Sequence, residues 1–174
     1  MLFTDADCIP ATNQWLRLMQ RGFVPAAGRP APSLVLGFSA YTVAPGFLNQ
    51  LIRYETLLTA AQYLSFAWRG RPYMGVGRNL AYTRACFAAT KGFASHIRRL
   101  SGDDDLLVQD AVRQGQRAAV VADPAAHTRS APAATSPRAK ATGWPTACAS
   151  ETLLAEMCFS ISPLQSCCFP VPIG

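Results

Sequence analysis

Residues 1–10 read MLFTDADCIP, and the expected fold is built outward from this stretch. Its first four residues are apolar and β-prone, whereas the tripeptide Cys8-Ile9-Pro10 breaks the chain before a helical pattern begins. Strand and helix periodicity then continues to Pro124, which indicates an α/β fold. Asp5 and Asp7 therefore lie at the end of a predicted strand, where open α/β sheets gather their ligands.

Asp5 and Asp7 are candidate metal ligands because of their spacing. In an extended chain, residues two apart point to the same side, so both carboxylates can address one ion. Carboxylate oxygens are hard ligands that suit Mg²⁺ or Mn²⁺, with water and substrate phosphates as the remaining ligands. The alternative is a solvated turn, because Asp is a common turn residue.

A second acidic cluster, Gly102-Asp103-Asp104-Asp105, opens a predicted helix. Together the two clusters hold five of the ten acidic residues in a chain of formal net charge +6. Acids in a first helical turn complement the helix dipole, and Ser101 followed by Asp104 resembles a capping box. Three adjacent acids also repel one another, which raises the proton affinity of a carboxylate and favours a general base. Capping and catalysis are compatible roles for this cluster.

Residues 47–68 have an apolar stripe that predicts an amphipathic helix. The stripe consists of Phe47, Leu48, Leu51, Ile52, Leu57, Leu58, Ala61, Leu64 and Trp68. Packing on a core is the commoner use of such a stripe, and the alternative is a helix lying at a membrane surface.

Glycines at positions 75 and 77 predict a loop whose backbone can approach a ligand closely. Tyr73 and Met74 precede them, and Arg78 and Asn79 offer hydrogen-bond donors to hydroxyl or phosphate oxygens. An ordinary turn is the alternative for this segment.

Six short motifs, read in order, carry a resemblance to a known family. They are Thr4-Asp5-Ala6-Asp7-Cys8-Ile9-Pro10, Trp15-Leu16, Pro45-Gly46-Phe47-Leu48-Asn49, Tyr73-Met74-Gly75-Val76-Gly77-Arg78-Asn79-Leu80-Ala81-Tyr82, Lys91-Gly92-Phe93 and Ser101-Gly102-Asp103-Asp104-Asp105-Leu106. In this order and spacing they resemble bacterial family 2 glycosyltransferases of the cellulose synthase and hyaluronan synthase-like group, over roughly residues 1–128. The resemblance implies a GT-A fold, a nucleoside-diphosphate sugar donor, a divalent cation and inversion at the anomeric carbon.

The resemblance also implies roles for single residues. Asp5 and Asp7 would form the motif for Mn²⁺ or Mg²⁺ and the diphosphate, with Asp7 as the direct ligand. Gly102-Asp103-Asp104 aligns with the family's Gly-Asp-Asp or Gly-Glu-Asp motif, which makes Asp104 the base for the acceptor hydroxyl and leaves Asp103 as the alternative. A loop of Tyr73, Gly75, Gly77, Arg78 and Asn79 would face the acceptor sugar.

The family pattern is incomplete in this chain. The strands that cradle the nucleotide base would precede residue 1, and no Gln-x-x-Arg-Trp-like closing motif follows Trp144. We therefore expect a partial GT-A fold that lacks the N-terminal nucleotide-binding strands and shows no transfer by itself. The intact relative would transfer a sugar from an NDP-sugar, expected to be a UDP-sugar. The alternative function is a catalytically inactive truncated fragment with at most a binding role.

Composition divides the chain into three parts. Residues 1–124 form the partial catalytic domain, residues 125–144 resemble a linker of Ala, Ser, Thr, Pro and Arg, and residues 145–174 form an atypical tail. The tail holds four of the six cysteines, in no metal-ligand spacing. We interpret it as an out-of-frame translation, with a variant terminus as the alternative.

Charge and hydropathy limit the partners that we expect. The Lys and Arg residues are scattered and form no nucleic-acid module, so their excess is better explained by a diphosphate or by anionic lipid headgroups. Cys8 and Cys86 are expected as buried thiols in a reducing compartment. No apolar run is long enough to span a membrane. The resemblance nevertheless implies that full-length relatives act at the cytoplasmic face of the inner membrane, on saccharide or lipid acceptors.

Overall fold

The computed structural model describes residues 1–94 and 102–132. In this part of the chain, helices and strands form a mixed α/β arrangement, which confirms the predicted class. The strands are β1 (Leu2–Phe3), β2 (Cys8–Pro10), β3 (Leu34–Gly37), β4 (Ser39–Tyr41), β5 (Leu80–Tyr82), β6 (Ala118–Val121) and β7 (Thr128–Ser130). The helices are α1 (Trp15–Arg21), α2 (Phe47–Trp68), α3 (Arg84–Ala89) and α4 (Asp103–Arg113), with 3₁₀ turns at Gly77–Asn79 and Pro124–Ala126.

A four-stranded mixed sheet, in the order β1-β5-β3-β6, forms the centre of the described fold. Strand β5 runs antiparallel to β1 and β3, whereas β3 and β6 are parallel. The sequence of β3 explains its central place, because Leu34, Val35 and Leu36 form a continuous apolar run that is fully buried. Leu34 and Leu36 point to one face of the sheet and Val35 points to the other.

Each face of this sheet has its own apolar cluster. Leu36 belongs to the cluster that includes Tyr63 of α2 and Leu107 of α4. Val35 belongs to the cluster on the other face, which includes Met19 of α1. The sheet is therefore a middle layer with helices on both sides, an arrangement found in α/β folds.

The pairing register brings several strand ends to one end of the sheet. Phe3 and Leu36 both pair with Leu80, and Val120 pairs with Leu36, so β1, β3 and β6 run in one direction and end together. Strand β5 begins there, directly after the 3₁₀ turn at Gly77–Asn79. We call this end the carboxyl end of the sheet. It is the end at which open α/β sheets hold their ligands.

A second sheet of short strands, β2-β7-β4, corrects two boundaries predicted from the sequence. Cys8–Pro10, predicted as a chain break, is a strand that pairs antiparallel with β7. Strand β7 lies inside the predicted linker of residues 125–144, so that boundary is placed too early. The error has a physical cause, because the buried residues of β7 are the polar Thr128 and Ser130 and give no apolar alternation. Residues 133–174, which include the rest of the predicted linker and the whole predicted tail, lie outside the described residues.

Helix α2 has the predicted bounds but packs on the core through a different face. Its buried residues are Asn49, Ile52, Ala60, Tyr63 and Ala67. In the predicted stripe, Phe47, Leu48, Leu51, Leu57, Leu58 and Trp68 are all exposed, so the core-packing expectation is wrong for these residues. The buried face is fixed instead by small alanines and by the Tyr63 hydroxyl, which donates to the Gly37 carbonyl oxygen at 2.9 Å. Neither α2 nor any other helix of the described residues is long and apolar enough to cross a membrane.

Candidate functional site

The first acidic cluster forms a tight turn directly after β1. The backbone amide of Cys8 donates to the Asp5 carbonyl oxygen at 3.0 Å, so Asp5 and Asp7 lie in a turn and not in extended chain. The turn still brings their carboxylates together, because ligand atoms of Asp5, Asp7 and Cys8 all lie within 4.8 Å of one another. The sequence thus predicted that this cluster follows a strand. The two carboxylates are brought together by the turn, however, and not by the alternation of side chains along a strand.

The donor set of this turn fits a divalent cation that prefers oxygen. Asp5 is exposed and Asp7 is half-buried, so both carboxylates are open to an ion and its water. Cys8, which the sequence analysis did not propose as a neighbour of an ion, has its Sγ 3.0 Å from the Ser130 Oγ. That contact joins the thiol to strand β7, so the two carboxylates remain as the candidate ligands for Mg²⁺ or Mn²⁺. The other described thiol, Cys86, is buried as expected, whereas Cys8 is half-buried.

The second acidic cluster forms the first turn of α4 and reaches across to the glycine loop. Asp104 Oδ2 accepts a hydrogen bond from the Gly77 backbone amide at 2.7 Å. Asp105 Oδ1 accepts one from the Gly75 amide at 3.1 Å. The helix itself is preceded by Gly102, with φ +81°, and no side chain caps it. Ser101, the partner of Asp104 in the predicted capping box, lies outside the described residues, so the capping box stays a prediction.

Burial raises the pKa of the Asp104 carboxyl above its usual range. The amides of Gly77 and Asp105 oppose this shift by donating to the carboxylate, and the nearby charge of Asp103 adds to it. The net effect is a raised pKa, which means a higher affinity for a proton. A general base requires this property. Asp103, the alternative base, is exposed at the start of the helix.

The two glycines of the loop serve contacts with α4 and the sheet. A Cβ at Gly75 would lie 2.9 Å from Val108 Cγ2 and 3.1 Å from Leu36 Cδ2, so only glycine fits there without displacement. A Cβ at Gly77 would lie 3.3 Å from Asp104 Oδ2. The amides of both glycines donate to aspartates of α4. The loop backbone was predicted to lie close to a sugar, but it lies close to α4 instead.

Asn79 corrects another prediction, because its side chain is used inside the fold. It is fully buried, and its Oδ1 accepts from the Trp15 indole Nε1 at 3.1 Å. Its Nδ2 donates to the carbonyl oxygens of Phe38 and Ala126, both at 2.9 Å. Both amide hydrogens are therefore occupied, which removes Asn79 from the predicted acceptor-binding residues. Asn79 instead joins α1, the segment after β3 and the segment after β6.

Arg78 and Tyr73 remain candidates for contact with a ligand. The Arg78 guanidinium lies over the Tyr41 ring, with Cζ 4.6 Å from the ring centroid. Its Nη1 is buried and has no hydrogen-bond partner among the described residues, so a donor is left for a ligand oxygen. Tyr73 is half-buried, and burial, together with the charge of Asp105, raises the pKa of its hydroxyl.

Both acidic clusters lie at the carboxyl end of the sheet. Asp5 follows β1 there. The 3₁₀ turn that begins at Gly77, whose amide donates to Asp104, immediately precedes β5 at the same end. Strands β1 and β5 are paired neighbours, with Phe3 opposite Leu80. Strand pairing therefore brings together acids that lie far apart in the sequence.

A pocket of about 390 Å³ lies beside the turn that holds Asp5 and Asp7. It is lined by Asp7, Ile9, Pro10, Ala11, Thr42, Arg129, Ala131 and Pro132. Arg129, an exposed residue of β7, was missed by the sequence analysis because it belongs to the predicted linker. Its guanidinium can bind an anion next to the carboxylate that would hold the cation.

Comparisons with known proteins assign no family to this chain. No protein-family model, no curated protein and no solved structure matches it. The features of this chain that bear on function are therefore the two acidic clusters, the loop between them and the pocket beside Asp7.

Proposed function

We propose that this chain carries the metal-binding and base residues of an inverting glycosyltransferase with a partial GT-A fold. The donor is an NDP-sugar, expected to be a UDP-sugar, and the acceptor is a hydroxyl group of a saccharide or of a lipid-linked sugar. One observation carries the proposal: a carboxylate with raised proton affinity, Asp104, lies at the same end of the sheet as the paired carboxylates of Asp5 and Asp7. The resemblance in the order of the motifs supports the same reaction.

Asp104 is the base in this reaction. It takes the proton of the acceptor hydroxyl, whose oxygen forms the new bond to the anomeric carbon on the face opposite the diphosphate. The bond from that carbon to the diphosphate oxygen breaks, and its electron pair leaves with the diphosphate. Carboxylate oxygens have several lone pairs, so the bonds from Gly77 and Asp105 leave Asp104 with capacity for the proton.

Asp5, Asp7 and Arg129 serve the donor side of the proposed site. The two aspartates would hold a Mn²⁺ or Mg²⁺ ion, which would supply positive charge to stabilise the diphosphate leaving group. Arg129 lines the pocket next to Asp7 and is placed to donate hydrogen bonds to phosphate oxygens. Asp7 and Arg129 line the same pocket, and an arginine beside a carboxylate that can hold a cation suits a diphosphate better than a neutral ligand.

Arg78 and Tyr73 serve the acceptor side. The free Nη1 of Arg78 offers a donor, and Tyr73 offers an aromatic surface and a hydroxyl that burial keeps protonated. Gly75 and Gly77 contribute indirectly by fixing the loop against Asp105 and Asp104. In full-length relatives we place this site at the cytoplasmic face of the inner membrane.

The proposal is tested by metal-dependent nucleotide binding. UDP should bind the purified chain more tightly with Mn²⁺ than with a chelator, and Asp7→Ala should remove that difference. Asp110→Ala is the matched control, because this acid lies on α4 away from the first cluster and pairs with Arg113 at 3.0 Å. Equal metal dependence in wild type and Asp7→Ala would reject the metal site.

Turnover distinguishes the enzyme from its alternative. Because the partial fold is expected to show no transfer by itself, the turnover test uses the chain completed with nucleotide-binding strands and a closing motif. Metal-dependent binding of UDP without transfer by that completed enzyme would favour the inactive fragment with a binding role. The absence of both would reject the proposed function.

A further inference from the structure

Helix α2 presents an apolar face to solvent. Phe47, Leu51, Tyr54 and Leu58 follow one another at intervals of four, three and four residues, which places them on one side of the helix. Ser65 and Arg69 continue the same side by the same spacing. We call this side, from Phe47 to Arg69, the outer face of α2. It lies opposite the buried Asn49, Ile52, Ala60, Tyr63 and Ala67.

The exposure of this face is too large to be incidental. Phe47 is 79% exposed and Tyr54 is 61% exposed, while Leu51 and Leu58 are 41% and 43% exposed. Leu48 and Leu57 flank them and are also exposed. Single exposed leucines are common on protein surfaces, but a contiguous apolar patch marks a surface that binds something.

The far end of the outer face is cationic. A cleft of about 560 Å³ at the C-terminal end of α2 is lined by Ser65, Phe66, Arg69 and Arg71. Neither arginine has an ion-pair partner among the described residues. Two guanidinium groups beside an aromatic ring form a site that suits a phosphate group. The only acid on α2 is Glu55, so the helix and the two residues of the cleft that follow it are net cationic.

We propose that the outer face of α2 docks this protein on an anionic phospholipid bilayer. The apolar side chains enter the boundary between headgroups and acyl chains, and a lipid phosphate occupies the cleft of Arg69 and Arg71. The exposed rings of Tyr54 and Trp68 are of the type that settles at the headgroup level. The helix lies on the membrane, as amphipathic interfacial helices do.

Charge decides between a bilayer and a second copy of the chain. In a parallel pair of α2 helices, Arg69 and Arg71 would face their own copies and repel them. In an antiparallel pair, each arginine cleft would face the apolar start of the partner helix, around Phe47, and find no counter-charge. An anionic lipid surface satisfies the apolar and cationic parts of the face together.

Vesicle flotation tests the inference on the whole chain. The protein should float with vesicles of phosphatidylcholine and phosphatidylglycerol, and much less with phosphatidylcholine alone. Leu51→Gln and Leu58→Gln should each weaken binding by about tenfold, because each removes an apolar side chain from the lipid boundary. The control is Leu16→Gln on α1, where the same change at a leucine 63% exposed should leave binding unchanged.

The arginines are tested in the same assay. Arg69→Gln and Arg71→Gln should each weaken binding to the anionic vesicles by about fivefold, and Arg17→Gln on α1 is the control. These substitutions are on exposed residues, and circular dichroism checks that the variants retain the fold. The reduction should vanish on phosphatidylcholine alone, which separates headgroup binding from the apolar contribution.

Three outcomes would overturn the inference. One is the absence of flotation with anionic vesicles, or flotation that Leu51→Gln and Leu58→Gln leave unchanged. Another is a concentration-dependent dimer that these two variants abolish, which would assign the outer face to a second copy. The third is tight binding of free glycerol phosphate by the chain without flotation, which would make the cleft a site for a soluble phosphate.

Discussion

Replacing Asn79 by Ala should destabilise this protein strongly, although the sequence suggests a sugar-binding role for that residue. The substitution leaves three groups without their partner: the Trp15 indole NH and the carbonyl oxygens of Phe38 and Ala126. Each buried polar group left unsatisfied costs about 1–3 kcal/mol. Since the Trp15 contact is only partly buried, we expect a total loss of about 3–6 kcal/mol in the free energy of unfolding.

The packing around Asn79 supports this magnitude. A Cβ added to Gly37 would overlap the Asn79 amide, so the side chain fills its space closely. A cavity of this kind is lined by two carbonyl groups and is costly to leave empty. The expected loss is a large share of the total stability of a small domain, which is about 5–15 kcal/mol.

Urea denaturation followed by tryptophan fluorescence measures the loss as a shift of the midpoint at constant slope. Asn13→Ala, at an exposed asparagine before α1, is the control and should change stability by less than about 0.5 kcal/mol. Asn79→Asp keeps the acceptor for Trp15 but turns a carboxylate towards two carbonyl oxygens, so it should be at least as damaging as Asn79→Ala at neutral pH. A loss below about 1 kcal/mol for Asn79→Ala would refute the structural role and return Asn79 to the acceptor-binding candidates.

Turnover should distinguish the two candidate bases. Wherever transfer is measured, Asp104→Asn should lower turnover by about two to four orders of magnitude with little effect on donor binding. Asp103→Asn should lower turnover less. The reverse order would move the base by one residue. Gly75→Ala should destabilise the fold by about 1–3 kcal/mol, because its Cβ would lie 2.9 Å from Val108 Cγ2, and adding Val108→Ala should recover part of that loss. Strictly additive losses would contradict that contact. The raised pKa of Asp104 means that the folded state binds the proton more tightly than the unfolded state. The charged carboxylate therefore lowers the free energy of unfolding above the folded pKa, and this loss is relieved as pH falls towards the unfolded pKa. The stability of wild type should therefore rise relative to Asp104→Asn on acidification, and thermal melts with a constant difference would disprove this.

Sequence periodicity located helix α2 but could not show which face it buries. Apolar residues occur around most of the helix, so the pattern gives its length and leaves its rotation open. The buried face is chosen by long-range contacts, such as the bond from the Tyr63 hydroxyl to Gly37. Strand β7 was missed for a related reason, because its hydrogen bonds come from β2 and β4, which lie far away in the sequence.

The glycine loop shows the same limit at the candidate site. Its sequence indicates a close backbone approach at Gly75 and Gly77, and the approach is real, but its partners are Asp105 and Asp104. Short motifs do not distinguish a loop that faces a ligand from one that faces its own fold. The position of Asp5 and Asp7 was easier to predict, because it depends only on the strand that precedes them.

The contacts of α4 explain why three adjacent acids are tolerated at its start. Asp103 is exposed to water, while the carboxylates of Asp104 and Asp105 are bound by the amides of Gly77 and Gly75. Each carboxylate is thus stabilised by its own partner, which is water or a backbone amide, and the positive end of the helix dipole stabilises all three. The same bonds fix the loop that carries Arg78 to the carboxylate proposed as the base. The residues proposed for the acceptor side and the proposed base are therefore positioned as one unit, as transfer to a single hydroxyl group would require.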